Sequence, residues 1–164
     1  AVERWKAEVI DDIEVDDAIR ICSKNIKNSH IVAIDKDLLW LEGKNFNWRK
    51  NEWTVIGKKE EEYYFSRSLV IGDTVDKIKG IKGKGEAYCN KVQINTVPDA
   101  FVAYLNEIQP RDKAVEEFFK NFKSLYILEQ SDKYTELPHP IKIEYNDNGE
   151  NKGSRSTTGN LPDT

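Results

Sequence analysis

The 164-residue chain has only two cysteines and two histidines. Cys22 and Cys89 are too few for a disulfide framework, and their spacing fits no zinc motif. Reduced, buried thiols in a cytoplasmic protein are expected. No apolar run approaches the roughly 18 residues that a membrane span needs, so no membrane partner is expected. No signal-peptide pattern opens the sequence. Methionine is absent and the sequence starts at Ala1, which leads us to expect a processed product, a fragment or one half of something larger. Basic residues are not in excess either: 25 lysines and arginines stand against 29 acids, for a net charge of −4. That argues against a protein coated in positive charge, but it leaves room for a local basic patch. No internal repeat is present.

What is there is an ordinary globular composition, 38% hydrophobic and 33% charged, enough for one domain with a core, or a small domain and a tail. Residues 14–27 read as a helix, with Ala18, Ile21 and Cys22 near one face and Asp16 and Asp17 in the first turn, where the helix dipole favours acids. Residues 30–34 (HIVAI) form a short β-branched run, expected as a buried strand that ends at Asp35. Residues 45–56 alternate aromatic and polar around Arg49-Lys50-Asn51, the pattern of a hairpin. Helices are expected over 58–71, 86–92, 98–109 and 111–130. The last carries Val115, Phe118, Phe119, Phe122, Leu125 and Tyr126 at helical spacing, a stripe best read as core. Residues 72–85 are a glycine-punctuated loop. From 131 onward the sequence turns polar and rich in Gly, Asn and Ser, and a disordered tail is expected.

Three acidic groups carry the chemistry. They are Glu14-Val15-Asp16-Asp17, Asp35-Lys36-Asp37 and Asp73-Thr74-Val75-Asp76. Singly, each is an ordinary solvated or helix-capping pair. Together, each falls at an element boundary: a helix start, a strand end, a loop start. In α/β sheets ligands gather beyond the carboxyl ends of strands. Seven carboxylates in one place repel each other unless cations neutralise them. Oxygen ligands without His or Cys favour hard cations such as Mg²⁺ or Mn²⁺, and two such ions are the usual machinery of in-line phosphodiester hydrolysis.

The third acidic group leads into Gly80-Ile81-Lys82-Gly83-Lys84-Gly85. Glycines let backbone N–H groups approach a ligand closely, and N–H groups at a helix start bind phosphate. Lys77, Lys79, Lys82 and Lys84 add charge to the same segment. This is the pattern of a helix-hairpin-helix that grips a nucleic-acid backbone without reading bases. The P-loop spacing is missing, and a plain glycine turn with solvated lysines stays open.

These blocks resemble the 5′→3′ exonuclease and flap endonuclease family, which includes the 5′-nuclease domain of bacterial DNA polymerase I, and most closely its bacteriophage branch. The family carries E-x-D-D, here Glu14-Val15-Asp16-Asp17. It carries a strand ending in D-x-D-L, here Asp35-Lys36-Asp37-Leu38. It carries G-D-x-x-D-N-I-x-G-[IV]-x-G-[IV]-G, here the run from Gly72 through Asp73, Asp76, Lys77, Gly80 and Gly83 to Gly85. Leu41-Glu42-Gly43-Lys44-Asn45-Phe46-Asn47-Trp48 also resembles a phage-branch run. The likeness covers roughly residues 14–130.

The resemblance implies an α/β fold: the C-terminal part of a 5′-nuclease (PIN-like) core over residues 1–57, then a helix–three-turn–helix DNA-binding region and packing helices over 58–130, then the tail over 131–164. It implies a DNA-replication nuclease that hydrolyses DNA or RNA-primer phosphodiesters. Glu14, Asp16 and Asp17 would be catalytic and hold a first metal. Asp35, Asp37, Asp73 and Asp76 would hold a second. Lys77, Lys79, Gly80, Lys82, Gly83, Lys84 and Gly85 would contact duplex or flap DNA or an RNA/DNA hybrid, with K⁺ at the hairpin. Three departures stand out: Lys77 replaces the family's Asn, Lys82 its Pro, and Lys84 its apolar residue. The family also has a long stretch before E-x-D-D that supplies a first strand, further metal aspartates and an arch. Thirteen residues precede Glu14 here, so a C-terminal portion is expected, its other half on a separate chain or lost. A non-catalytic DNA-binding module is the alternative.

Overall fold

The structure, a computed structural model, describes residues 13–128. The expected tail over 131–164 and the last residues of the expected 111–130 helix lie outside the described residues.

The chain opens with α1 (Val15–Asn25), which has Asp16 and Asp17 in its first turn and Lys24 in its last, each where the helix dipole favours its charge. Then follow β1 (Ile31–Ala33) and the short α2 (Lys36–Leu39), capped by the Asp35 carboxylate accepting from the Asp37 amide. Strands β2 (Gly43–Asn47) and β3 (Glu52–Ile56) form the expected hairpin. β1 lies parallel to β2, giving a sheet of order β1-β2-β3. Helix α3 (Lys58–Ile71) starts after Gly57 and stops at Gly72. The loop after it is more ordered than expected, since Gly72–Asp73 (β4) and Ile78–Lys79 (β5) pair as a small antiparallel ladder. Three helices complete the described chain: α4 (Glu86–Val92), α5 (Val97–Glu107) and α6 (Arg111–Leu125). A reciprocal Thr96–Asp99 capping box starts α5, which satisfies two amide donors that the helix cannot. Among the described residues no helix is long and apolar enough to cross a membrane.

Two apolar clusters hold this α/β arrangement. The larger gathers Leu69 and Val70 of α3, Ile81, Cys89, Ile94, Phe101, Tyr104, Phe118 and Phe122. The aromatic stripe of α6 is therefore core, as its spacing implied. The smaller joins Ile31, Ala33, Leu38 and Leu41, with Ile19 and Ile127 packed against it. Both cysteines are free thiols, but only Cys89 is buried.

The reading of residues 30–34 as a buried strand needs correcting. Side chains alternate across a strand. Ile31 and Ala33 are buried, whereas Val32 and Ile34 are 59% and 50% exposed. Register puts Val32 beside Phe46, Phe46 beside Trp53, and Lys44 beside Val55. Trp53 and Val55 are exposed too. One face of the sheet is thus apolar and, among the described residues, uncovered. No described strand pairs with the outer edge of β1.

Candidate metal centre

The acidic groups sit on three different elements that the fold brings together. Asp35 and Asp37 stand at the turn from β1 into α2. Asp73 and Asp76 stand on β4 and the turn after it. Carboxylate oxygens of Asp37, Asp73 and Asp76 all lie within 4.8 Å of one another. The first group is near as well. The Asp16 carboxyl is pushed up from its usual range by burial and by the neighbouring charges of Asp35, Glu14, Asp17 and Asp76. Asp37 is pushed up to about 6, mainly by burial, with Asp35, Asp73 and Asp76 adding repulsion and Lys36 opposing it.

Each aspartate plays a distinct part. Asp73 is buried. Its Oδ1 accepts from the backbone amides of Val75 at 2.7 Å and Asp76 at 3.3 Å, a local turn that a short acidic side chain favours. Its Oδ2 accepts from Lys36 Nζ at 2.5 Å. That lysine, followed by the two amides, holds the Asp73 carboxyl below its usual range, and in return the Lys36 ammonium is raised. Asp76 and Asp35 are exposed. Asp17 points elsewhere: it is buried, and its Oδ1 accepts from the Leu128 amide at 2.7 Å. Its carboxylate ties α1 to the chain leaving α6. A cleft of about 1090 Å³ runs alongside, lined by Glu14, Asp16, Asp37 and Asp76 on one part and by Lys58 and Lys123 on another.

The donor set suits a hard divalent cation: three carboxylates, no nitrogen or sulfur, and one partly buried acid crowded by its neighbours. A positive charge already stands among them, the Lys36 ammonium, which also lies 4.0 Å from Asp37 Oδ1. Asp37, Asp73 and Asp76 therefore fit a metal ion.

The glycine segment is shaped by packing. A Cβ on Gly80 would meet the Val70 carbonyl oxygen at 2.2 Å and Ile71 C at 2.4 Å, so only glycine lets the loop approach the end of α3 this closely. The Ile81 amide donates to that same Val70 oxygen at 2.8 Å. Gly83 takes a positive φ of 75° in open space and forms a turn in which the Lys84 amide donates to the Ile81 carbonyl. Gly85 caps α4. Lys77, Lys79 and Lys82 are exposed. Lys84 is otherwise engaged: its ammonium pairs with Glu107 at 2.8 Å and lies 4.6 Å above the Tyr88 ring.

Two contributors carried no assigned role in the sequence. Lys36 was legible only as the middle of D-K-D. Asn121 interrupts the apolar stripe of α6. Its Nδ2 donates to the Lys79 carbonyl at 2.6 Å and to Tyr104 Oη at 2.7 Å, and Tyr104 Oη donates to the Leu69 carbonyl at 2.7 Å. A polar residue within an aromatic stripe was the signal for it.

Fold and centre together define an α/β protein with carboxylates converging at the end of a parallel strand. No family model matches the sequence, and no curated protein matches it. Among solved structures, the chain is similar in fold to the D15 protein of T5, crystallised with metal ions. The TM-score is 0.51 at 18% sequence identity, over 71% of this chain and 52% of D15. The chain thus spans about half the length of that protein.

Proposed function

We propose that this chain is the C-terminal portion of a divalent-metal-dependent 5′-nuclease, with a PIN-like core and a helix–three-turn–helix region, acting on DNA or RNA-primer phosphodiesters. The observation that carries the reading is the convergence of Asp37 with Asp73 and Asp76, which brings together two segments far apart in sequence. The fold likeness to a protein crystallised with metal ions supports it. Mg²⁺ or Mn²⁺ bound there would activate water and stabilise charge on the phosphorus oxygens. The chain's own residues do the rest. Asp37 and Asp73 supply oxygens from α2 and β4, and Asp76 adds a solvent-facing one. Asp35, Asp16 and Glu14 make the neighbourhood negative enough to hold a second ion. The exposed Lys77, Lys79 and Lys82 meet the duplex backbone beside Gly80, Gly83 and Gly85, with K⁺ at this hairpin. Lys84 contributes by bracing α4 against α5.

The partner is a polypeptide carrying the remainder of the fold. Its place is the sheet face of Val32, Ile34, Trp53 and Val55 and the edge of β1, both uncovered among the described residues. Parallel strands normally have both faces covered, and exposed apolar patches mark interaction sites. Half-length coverage of D15 and the lysine already standing in the centre favour a second reading, a DNA-binding module without cleavage.

Incubation with a 5′-flap DNA in Mg²⁺, in Mn²⁺ and in EDTA separates the two. Metal-dependent cutting that Asp73→Asn with Asp76→Asn abolishes, while binding persists, supports the nuclease. Binding that ignores both metal and these substitutions supports the module. A chain that neither binds nor cuts refutes both.

A further inference from the structure

Lys36 sits between Asp35 and Asp37 in the first turn of α2, so its stem is tethered inside the acidic centre. Asp73 has one oxygen that no backbone amide occupies. Its Oδ1 is spent on the Val75 and Asp76 amides. The Lys36 ammonium, which lies 4.0 Å from Asp37 Oδ1, holds the Asp73 Oδ2 at 2.5 Å. A Mg²⁺ or Mn²⁺ ligated by Asp37, Asp73 and Asp76 needs that same oxygen at roughly 2.1 Å. Two cations crowded at one oxygen repel strongly away from bulk water. The lysine has room to leave, since its side chain is 49% exposed, and the Trp40 ring, already 5.5 Å from Nζ, can keep a cation–π contact as it moves.

We infer that the Lys36 ammonium is a resident counter-ion of the carboxylate centre, which a divalent cation displaces when it binds. The inference rests on the metal reading above and adds an exchange to it. Without metal, Lys36 neutralises the buried Asp73 and keeps the centre folded. With metal, the lysine swings out beside Trp40, and its charge faces the cleft. The centre is never without a cation, and the exchange weakens apparent metal affinity.

The test is calorimetric titration of the whole chain with Mn²⁺, using wild type, Lys36→Met, Lys36→Gln and, as a control for net charge, Lys91→Met on the exposed surface of α4. Losing the competing charge-assisted bond should tighten Mn²⁺ binding roughly tenfold in both Lys36 variants, with Lys91→Met close to wild type. Thermal melts supply the second readout. The Lys36 variants should melt below wild type in EDTA, and the gap should close in saturating Mn²⁺. A variant folded only in Mn²⁺ is the extreme form of that result. Wild-type affinity in both Lys36 variants, or a gap that Mn²⁺ leaves unchanged, would overturn the counter-ion while the metal centre stands. Absence of Mn²⁺ binding in every protein would overturn the metal reading and the counter-ion with it.

Discussion

Asp37→Asn should make the metal-free protein more stable while weakening its hold on metal. Asp37 has its carboxyl raised from 3.8 to about 6, by burial first and by Asp35, Asp73 and Asp76 after it. In the unfolded chain it ionises near 4. Below that pH both states are protonated and the group contributes nothing. Between about 4 and 6 only the unfolded state ionises, so stability falls as pH rises. Above 6 the full penalty is present. At about 1.4 kcal/mol for each pH unit the rise corresponds to about 3 kcal/mol. Asp37 is partly open to solvent, with a side chain 30% exposed, and screening reduces this to about 1–2 kcal/mol. Asparagine mimics the neutral acid. Urea denaturation in EDTA should therefore show wild type and variant equal near pH 4, with the variant ahead by about 1–2 kcal/mol above pH 6. That gap corresponds to roughly 3–8 °C in Tm. Mn²⁺ should stabilise wild type more than the variant. A variant less stable than wild type at pH 7 in EDTA would refute the crowding that the geometry implies.

Glycine substitutions should separate packing from strain. Gly80→Ala drives a methyl into the Val70 carbonyl and should cost about 3 kcal/mol, whereas Gly83→Ala meets open space and should cost only about 1–2 kcal/mol for its left-handed backbone; urea midpoints give both, and equal costs would contradict the packing. Asn121→Ala leaves the Lys79 carbonyl and the Tyr104 hydroxyl without their buried donor and should cost about 2 kcal/mol, read by thermal melting. Lys82→Ala should flatten the salt dependence of duplex binding by about one unit of slope, and Lys84→Ala should flatten it less, because that ammonium is paired with Glu107; the reverse order would mean that the ion pair opens on DNA.

Much of this architecture was legible in the sequence because punctuation marks it. Gly57 and Gly72 bracket α3, and Gly85 opens α4, so both helices begin and end where the pattern put them. The sequence carries no such stop for α6, and its apolar spacing ran on past the last helical turn at Leu125. The run at 30–34 shows a different limit. A short β-branched stretch looks alike whether one face or both are covered, and only the folded sheet reveals that Val32 and Ile34 are open. The carboxylates of the centre were readable as residue types at element boundaries. Their individual parts were not. Asp17 is adjacent to Asp16 in sequence, yet helical rotation turns its carboxylate toward Leu128. Gly80 carried the signature of a ligand-approach glycine, and the structure gives it a packing reason in the carbonyl of Val70.

The contacts that hold the acids in place form a closed circuit. Asp17 ties α1 to Leu128 just past α6. Asn121 of α6 grips the carbonyl of Lys79, and the ladder beside it carries Asp73. Lys36 returns from Asp73 to the turn after β1, and β1 lies in the cluster against which Ile19 of α1 packs. The ring passes through both apolar clusters, so neither can open without releasing a link that the other depends on. Amide exchange across the two clusters should therefore be governed by one shared opening event, and damage to any link should be felt on the far side of the ring.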